Sequence, residues 1–381
     1  MSNVLNINII HKKKEKSNNV DINKLLHNIK SNMNNDFNKM TYLGKGIEGD
    51  IYKVKSINGK YYICKCFSNN MKIRNQVNQE LSILRMLQEH KLSKNYIYPC
   101  YGSNIDSSYI LCLFPNFKCV NLQKILDTIY DSSFKKSHRN TLLKYIIKEI
   151  MVGLHMLHSR KICHMNLDKE SILVETNELS DDDLKNNKDS SIFGKEKNTN
   201  IDNNKNTVEP TNKHIYKPYF DSSDKLLQVK FTNLGNSYGK VIKTNIKEVF
   251  NNESNKPMKK SKHKYNFLFN REKFLEAIEK DKSLKTYYLK NKSKMSKSKL
   301  LKLGQLYDIY MLGRLILFLI IKKEIKEEYE KVSLSSIDEN ELIDSSFEPY
   351  LEMLKKYMLV PLNNRKKLKF IRDMIIVREK Y

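Results

Sequence analysis

HMNLDKESILV, residues 164–174, is the stretch on which the reading of this chain turns. It follows a run, residues 142–158, in which Leu143, Ile146, Ile147, Ile150, Leu154 and Leu157 recur at three- and four-residue spacing, the period of a helix with one buried face. It ends on Ile172, Leu173 and Val174, a short apolar run that suits a buried strand. A buried helix therefore delivers a loop carrying His164, Asn166, Asp168, Glu170 and Ser171, and a strand takes the chain away again. Polar side chains on a loop held between two buried elements are the common setting of a binding or catalytic site.

Upstream, YLGKGIEGDIYKV places Gly44, Gly46 and Gly49 in G-x-G-x-x-G spacing, with Ile51 two residues on. The same triplet opens dinucleotide-binding folds, but there a helix follows it. Here strand-like residues 51–54, a turn at Asn58-Gly59 and a second strand over 61–67 follow, so the glycines sit in a hairpin. That second strand carries Lys65. Fifteen residues later NQELSILRML sets Leu81, Leu84 and Leu87 at helical spacing, with Glu80 placed to reach Lys65. Residues 109–114 read as a further buried strand that leads into a connection near 114–117.

These blocks, in this order, resemble the eukaryotic protein kinases. The glycine hairpin is similar to the loop that covers nucleotide phosphates, and Lys65 and Glu80 stand where the family's phosphate-binding lysine and its helix partner stand. Residues 164–174 resemble the catalytic loop H-R-D-L-x-x-x-N. VKFTNLG, residues 229–235, resembles the strand that ends in D-F-G, and LYDIYMLGRLILFLI, with Asp308 and Gly313, resembles the core helix of the large lobe. LEMLKKYMLVPLNNRKKL resembles the last helices, with Arg365 at the position that pairs with the glutamate of Ala-Pro-Glu. No Ala-Pro-Glu occurs, and that partner is not identifiable in the sequence. The resemblance suggests Leu113 as the residue walling the rear of the nucleotide pocket.

The resemblance implies an α+β, bilobal protein-kinase-like fold: a β-rich small lobe over about 36–117 and a mainly α-helical large lobe over about 118–377. An Asn- and Lys-rich extension, residues 1–35, is expected to be disordered, as is an insertion at about 176–226. A long basic insertion fills about 236–304. Between 236 and 306 there are nineteen Lys and Arg against six Asp and Glu, so half of the chain's net charge of +26 sits there. Such a stretch suits an acidic or anionic partner, while its sparse aromatics disfavour nucleic acid. Abundant Asn and Lys throughout the chain account for the surplus equally well.

The reacting positions depart from the resembled family. Asn166 stands where the catalytic base is an aspartate, Asn233 and Ser171 where the two metal ligands are aspartate and asparagine, and Asp168 where a lysine lies beside the γ-phosphate. An amide has neither the charge nor the basic lone pair of a carboxylate. Ile63, at the position of the alanine over the adenine, crowds the base, so ATP is expected to bind weakly through Gly44, Gly46, Gly49, Ile51, Lys65 and Glu80, with magnesium not tightly held. Two functional classes follow: a catalytically impaired pseudokinase serving as scaffold or allosteric partner, and an active atypical serine/threonine kinase. A module that binds an anionic partner through the basic insertion is a third.

The six cysteines fall mostly in apolar strand-like runs, without a second close pair to complete a zinc site. The most apolar run, residues 315–321, is too short to span a bilayer. The expectation is an intracellular, cytoplasmic protein, with the nucleus left open.

Overall fold

The computed structural model of the protein describes residues 37–46, 49–88, 95–105, 108–116, 119–130, 136–178, 216–218, 228–242, 265–321, 337 and 339–378. The extension over 1–35 lies outside the described residues, as do 179–215, 219–227 and 243–264 of the two insertions.

The small lobe is a five-stranded antiparallel sheet in the order β1-β2-β3-β5-β4. Its strands are β1 (Phe37–Lys45), β2 (Asp50–Ser56), β3 (Tyr61–Ser68), β4 (Gly102–Ile105) and β5 (Tyr109–Pro115), with helix α1 (Met71–Gln88) between β3 and β4. The hairpin read from the glycines is present: Gly44 faces Ile51 across β1 and β2, and Gly46 N–H donates to the Gly49 carbonyl at 2.7 Å. Gly49 is obligatory because a Cβ there would stand 2.3 Å from the Cys66 carbonyl oxygen of β3. The turn from β2 to β3 uses Gly59 at φ 83°, a left-handed backbone that glycine adopts without cost.

The chain then enters the large lobe through β6 (Cys119–Asn121), α2 (Leu122–Ile129) and α3 (Lys136–Ser159). Residues 143–157 of α3 bury the stripe expected of them. After β7 (Ile162–Cys163) and the 164–171 loop comes β8 (Ile172–Glu178), paired with β6 on one side and on the other with β10 (Val229–Phe231). The insertion expected at 176–226 is closed at its base by strand pairing, since β9 (Tyr216–Pro218) continues the sheet along β8 with Thr176 opposite Pro218 and Glu178 opposite Tyr216.

Beyond β10, β11 (Tyr238–Ile242) pairs with β7 and with β12 (Tyr265–Leu268). There follow α4 (Arg271–Ile278), α5 (Lys282–Asn291), α6 (Lys297–Ile320), α7 (Glu348–Met353) and α8 (Leu368–Arg378). Residues 265–304, within the basic insertion, are thus folded: Phe274, Ile278, Leu284 and Tyr288 are buried while the lysines face out. Tyr238 of β11 holds Phe267, Phe269 and Phe274 in edge contacts at centroid distances of 5.4–6.1 Å, and its hydroxyl donates to the Leu300 carbonyl at 2.5 Å. Helix α6 is the axis of the lobe. Among the described residues it alone is long and apolar enough to cross a membrane, but 78% of its apolar window is buried inside the fold and it carries Asp308 at its middle.

Candidate nucleotide cleft and catalytic loop

Strand alternation decides what faces the cleft. Direct cross-strand partners share a sheet face, so Lys65 opposite Ile51 and Cys112, and Ile63 opposite Phe114, share one face of the small-lobe sheet. Leu113 pairs with Cys64 on the other face and belongs to a separate apolar cluster with Tyr52, Val54 and Leu111. Leu113 is therefore not the rear wall. Cys112 and Phe114 are the β5 residues on the Lys65 face, with the Lys65 ammonium 5.3 Å from the Phe114 ring centroid. The one-residue error reverses the face because the side-chain period of a strand is two.

The pair read from the sequence is formed: Lys65 Nζ lies 4.0 Å from Glu80 Oε1, with the Glu80 side chain only 8% exposed. The ammonium also donates to Thr232 Oγ1 at 3.3 Å, a partner the sequence reading did not find. Helix α1 is held against the turn behind β10: Gln76 Nε2 donates to Asn236 Oδ1 at 3.3 Å, and Gln79 Nε2 donates to the Ser237 carbonyl. Ser237 Oγ in turn donates to the His164 carbonyl at 2.8 Å. Small lobe, turn and loop are one connected structure.

Asp308 organises the loop from below. Its Oδ2 accepts from His164 N–H at 2.8 Å and stands 2.9 Å from His158 Nε2, while Oδ1 accepts from Met165 N–H at 2.8 Å. A wholly buried carboxylate is tolerable only with its lone pairs used in this way. Two loop residues, Lys161 at φ 63° and Met165 at φ 65°, are held in left-handed backbone, and the paired amides of 164 and 165 over-determine the second of these. His164 stacks near Phe231 at 5.6 Å, and its Nε2 stands 3.2 Å from the Thr232 carbonyl. Burial holds its imidazole below the ordinary histidine pKa, partly offset by the charges of Asp308 and Asp168. His164, Leu84, Leu234 and Asp308 are all buried.

The reacting positions behave differently. Ser171 is fully buried; its Oγ accepts from Asp168 N–H and donates to the Asp168 carbonyl, both at 2.9 Å. Asp168 Oδ1 accepts from Glu170 N–H at 3.0 Å and from Ser171 N–H at 2.7 Å. The two residues therefore close a turn on each other. Lys169, beside them, lies over the Phe318 ring of α6 at 4.8 Å and does not replace the absent lysine. Asn233 takes φ 59°, ψ 42°, a left-handed conformation asparagine tolerates, and its side chain makes no capping bond to the turn behind it. Magnesium prefers near-octahedral oxygen shells that include carboxylates. This donor set offers amides at Asn233 and Asn166, a hydroxyl already used twice and one carboxylate, Asp168, whose Oδ1 is taken by two backbone amides, and it falls short of that shell. The glycine hairpin and Lys65 do fit phosphate oxygens.

Arg365 has a partner after all. Its guanidinium forms an ion pair with Asp281 in which both side chains are 2% exposed, donates from Nη2 to Ser283 Oγ at 3.2 Å and from Nε to the Val360 carbonyl at 2.9 Å, and stacks 4.8 Å from the Tyr310 ring. Asp281 also caps α5, accepting from Leu284 N–H at 3.2 Å. This acid lies inside the basic insertion, one of four carboxylates between residues 272 and 281, with nothing in the sequence to single it out. A protein-family model described as "Protein kinase domain" matches residues 37–188, a span that takes in the glycine hairpin, Lys65, Glu80 and the 164–174 loop.

Proposed function

The chain belongs to the protein kinase superfamily, and we propose that it is a member impaired in phosphoryl transfer that serves as a scaffold or allosteric partner in intracellular signalling. The reading rests on Ser171, whose hydroxyl is spent within the loop and is fully buried. Kinase catalysis is chiefly positioning and neutralisation of phosphate charge by metal ions, with an aspartate orienting the attacking hydroxyl. Asn166 holds the loop without taking a proton, and Ser171 and Asn233 leave the phosphates without the charged ligands that bring metal to them. Each of these losses is worth orders of magnitude in rate.

The binding half of the machinery persists. Lys65 and the glycine hairpin attract phosphates, so ATP binds weakly and gains little from magnesium, with Ile63 and Phe114 narrowing the site of the base. The body that remains is a two-lobed platform whose halves communicate through α1. Its partner is a protein, met in the cytoplasm or nucleus. The surface best suited to an acidic one is the end of α5 and the start of α6, where Lys290, Lys292, Lys294, Lys297, Lys299 and Lys302 are exposed with no acidic residue among them. The test of this reading is incubation of purified protein with γ-labelled ATP and magnesium or manganese, with Lys65→Ala as control. Incorporation equal in the two proteins supports it, and metal-dependent labelling abolished by Lys65→Ala returns the chain to the working kinases.

A further inference from the structure

The cleft face of the small-lobe sheet is built in rungs. Ile51, Lys65 and Cys112 stand level across β2, β3 and β5 in the first, Lys53, Ile63 and Phe114 in the next, and Lys55 and Tyr61 in the last. Cross-strand partners share a face, so all of these residues line one surface. Lys53 starts level with Ile63 but leans outward: its ammonium lies 4.8 Å from the Tyr61 ring centroid, and that of Lys55 lies 5.4 Å from the same ring. The face therefore has a cation at its inner end, an apolar middle of Ile51, Ile63 and Phe114, and a pair of cations over an aromatic ring at its outer end.

Lys65 is held by Glu80 and Thr232. The outer pair has no such acid: among the described residues the ammonium groups of Lys53 and Lys55 meet the Tyr61 ring and no carboxylate. Asp50, the one acidic residue on β1, β2, β3 and β5, stands opposite Cys66 and so on the other face. Tyr61 is 42% exposed, which leaves the outer end open to a ligand. A cleft lined by one sign of charge focuses its field on the opposite sign. We propose that the cleft takes an aromatic ligand with an anionic group at each end: phosphate at Lys65 and the glycine hairpin, the ring against Ile63 and Phe114, and a second anion at Lys53 and Lys55. Tyr61 lies four residues along β3 from Lys65, about 13 Å at about 3.3 Å per residue, and this sets the separation of the two anions. The ligand class is a nucleotide whose base carries a carboxylate, sulfonate or further phosphate on the side away from its phosphate chain. ATP, charged at one end only, leaves the outer cations unanswered. The inference rests on the reading of the cleft as one that binds phosphates, and not on the loss of transfer.

The test uses two ATP derivatives that bear the same short alkyl linker on the base, ending in a carboxylate in one and in an ammonium in the other. Both are titrated into the full chain by calorimetry at low salt. The carboxylate-ended probe is expected to bind at least about fivefold more tightly than the ammonium-ended one, the scale of a pair of exposed ion pairs. Lys53→Gln with Lys55→Gln is expected to erase that difference, and added salt to narrow it. Equal affinity of the two probes for the wild type, which needs no variant to fold, would overturn the proposal. A preference that survives the double substitution would overturn it too, while leaving the phosphate end of the cleft standing. Lys65→Ala separates the two ends: both probes weakened, with the preference for the carboxylate retained, is the expected result. Neither probe weakened by Lys65→Ala, or neither bound by the wild type, would sink the phosphate reading of the cleft together with this inference.

Discussion

Asp281 and Arg365 form a buried ion pair whose spare hydrogen-bonding capacity is used by Leu284 N–H, Ser283 and the Val360 carbonyl. Removing one partner of such a pair strands the other charge, at a cost of about 3–5 kcal/mol. Asp281→Ala is therefore expected to lower the unfolding free energy by that amount in a denaturant titration, while a Lys282→Ala control on the exposed neighbour leaves it unchanged. At the cleft, Ile63 stands opposite Phe114 on the face that carries Lys65. Added methylenes at a close-packed site cost about 1–3 kcal/mol, or about ten- to a hundredfold in affinity. Calorimetry on Ile63→Ala is expected to show tighter ATP binding by a factor in that range and equally so without magnesium; an unaltered affinity would remove Ile63 as the obstacle. His164 gives a pH signature. Burial depresses its pKa in the fold, so the unfolded chain takes up the proton first as pH falls. Stability is then full above about pH 6.5, the ordinary histidine value, and is lost as pH drops below it. Burial is the largest influence on the ring; Asp308 and Asp168 push the other way and His158 adds to the lowering. Melting temperatures of the wild type and His164→Gln should converge in slope below that pH only if another group dominates; a flatter slope in the variant is the expected result.

At the scale of elements, what was legible in the sequence was what periodicity and fixed offsets encode. The stripe of α3, the glycine hairpin, the Asn58-Gly59 turn and the offset from Lys65 to Glu80 all depend on neighbours close in the chain. What depended on contacts across the chain was not legible. Leu113 and Phe114 are adjacent and both apolar, and only the register with β3 separates the face of the cleft from the face of the second cluster. Asp281 could not be matched to Arg365 because nothing local distinguishes a carboxylate that will be buried from a solvated one. The same blindness hid the core inside the basic insertion, where Phe274, Ile278, Leu284 and Tyr288 anchor α4 and α5. Deleting these helices to probe partner binding would thus remove Asp281 and part of the core. Charge reversal is the sounder probe. Lys290→Glu with Lys294→Glu and Lys299→Glu is expected to abolish capture of an acidic peptide while leaving the melting temperature within about a degree or two, since exposed substitutions usually fall within about 0.5 kcal/mol. Equal peptide binding by wild type and variant would discard the docking surface. Phosphorylation at Ser296 would act at the start of α6, where its Oγ caps Lys299 N–H at 3.3 Å.

On the scale of the whole molecule, the parts that connect the lobes and the parts that react have separated. Asp308 of α6 accepts from the His164 amide, Leu234 and Leu84 of α1 are buried, and Lys65 lies 4.0 Å from Glu80. The proposed loss of transfer rests on a loop that engages Asp168 Oδ1 and the Ser171 hydroxyl with each other's backbone. The changes at Asn166, Asn233 and Ser171 were readable one by one in the sequence, because each sits at a fixed offset within its block. That Ser171 is turned inward and closed was readable only in three dimensions. The most direct measurement is the initial rate of γ-phosphate transfer, to the protein itself and to a mixed peptide pool, with ATP and magnesium or manganese, for wild type beside Lys65→Ala. The account predicts no difference between the two above background in either metal. Metal-dependent transfer by the wild type that disappears in Lys65→Ala would contradict it.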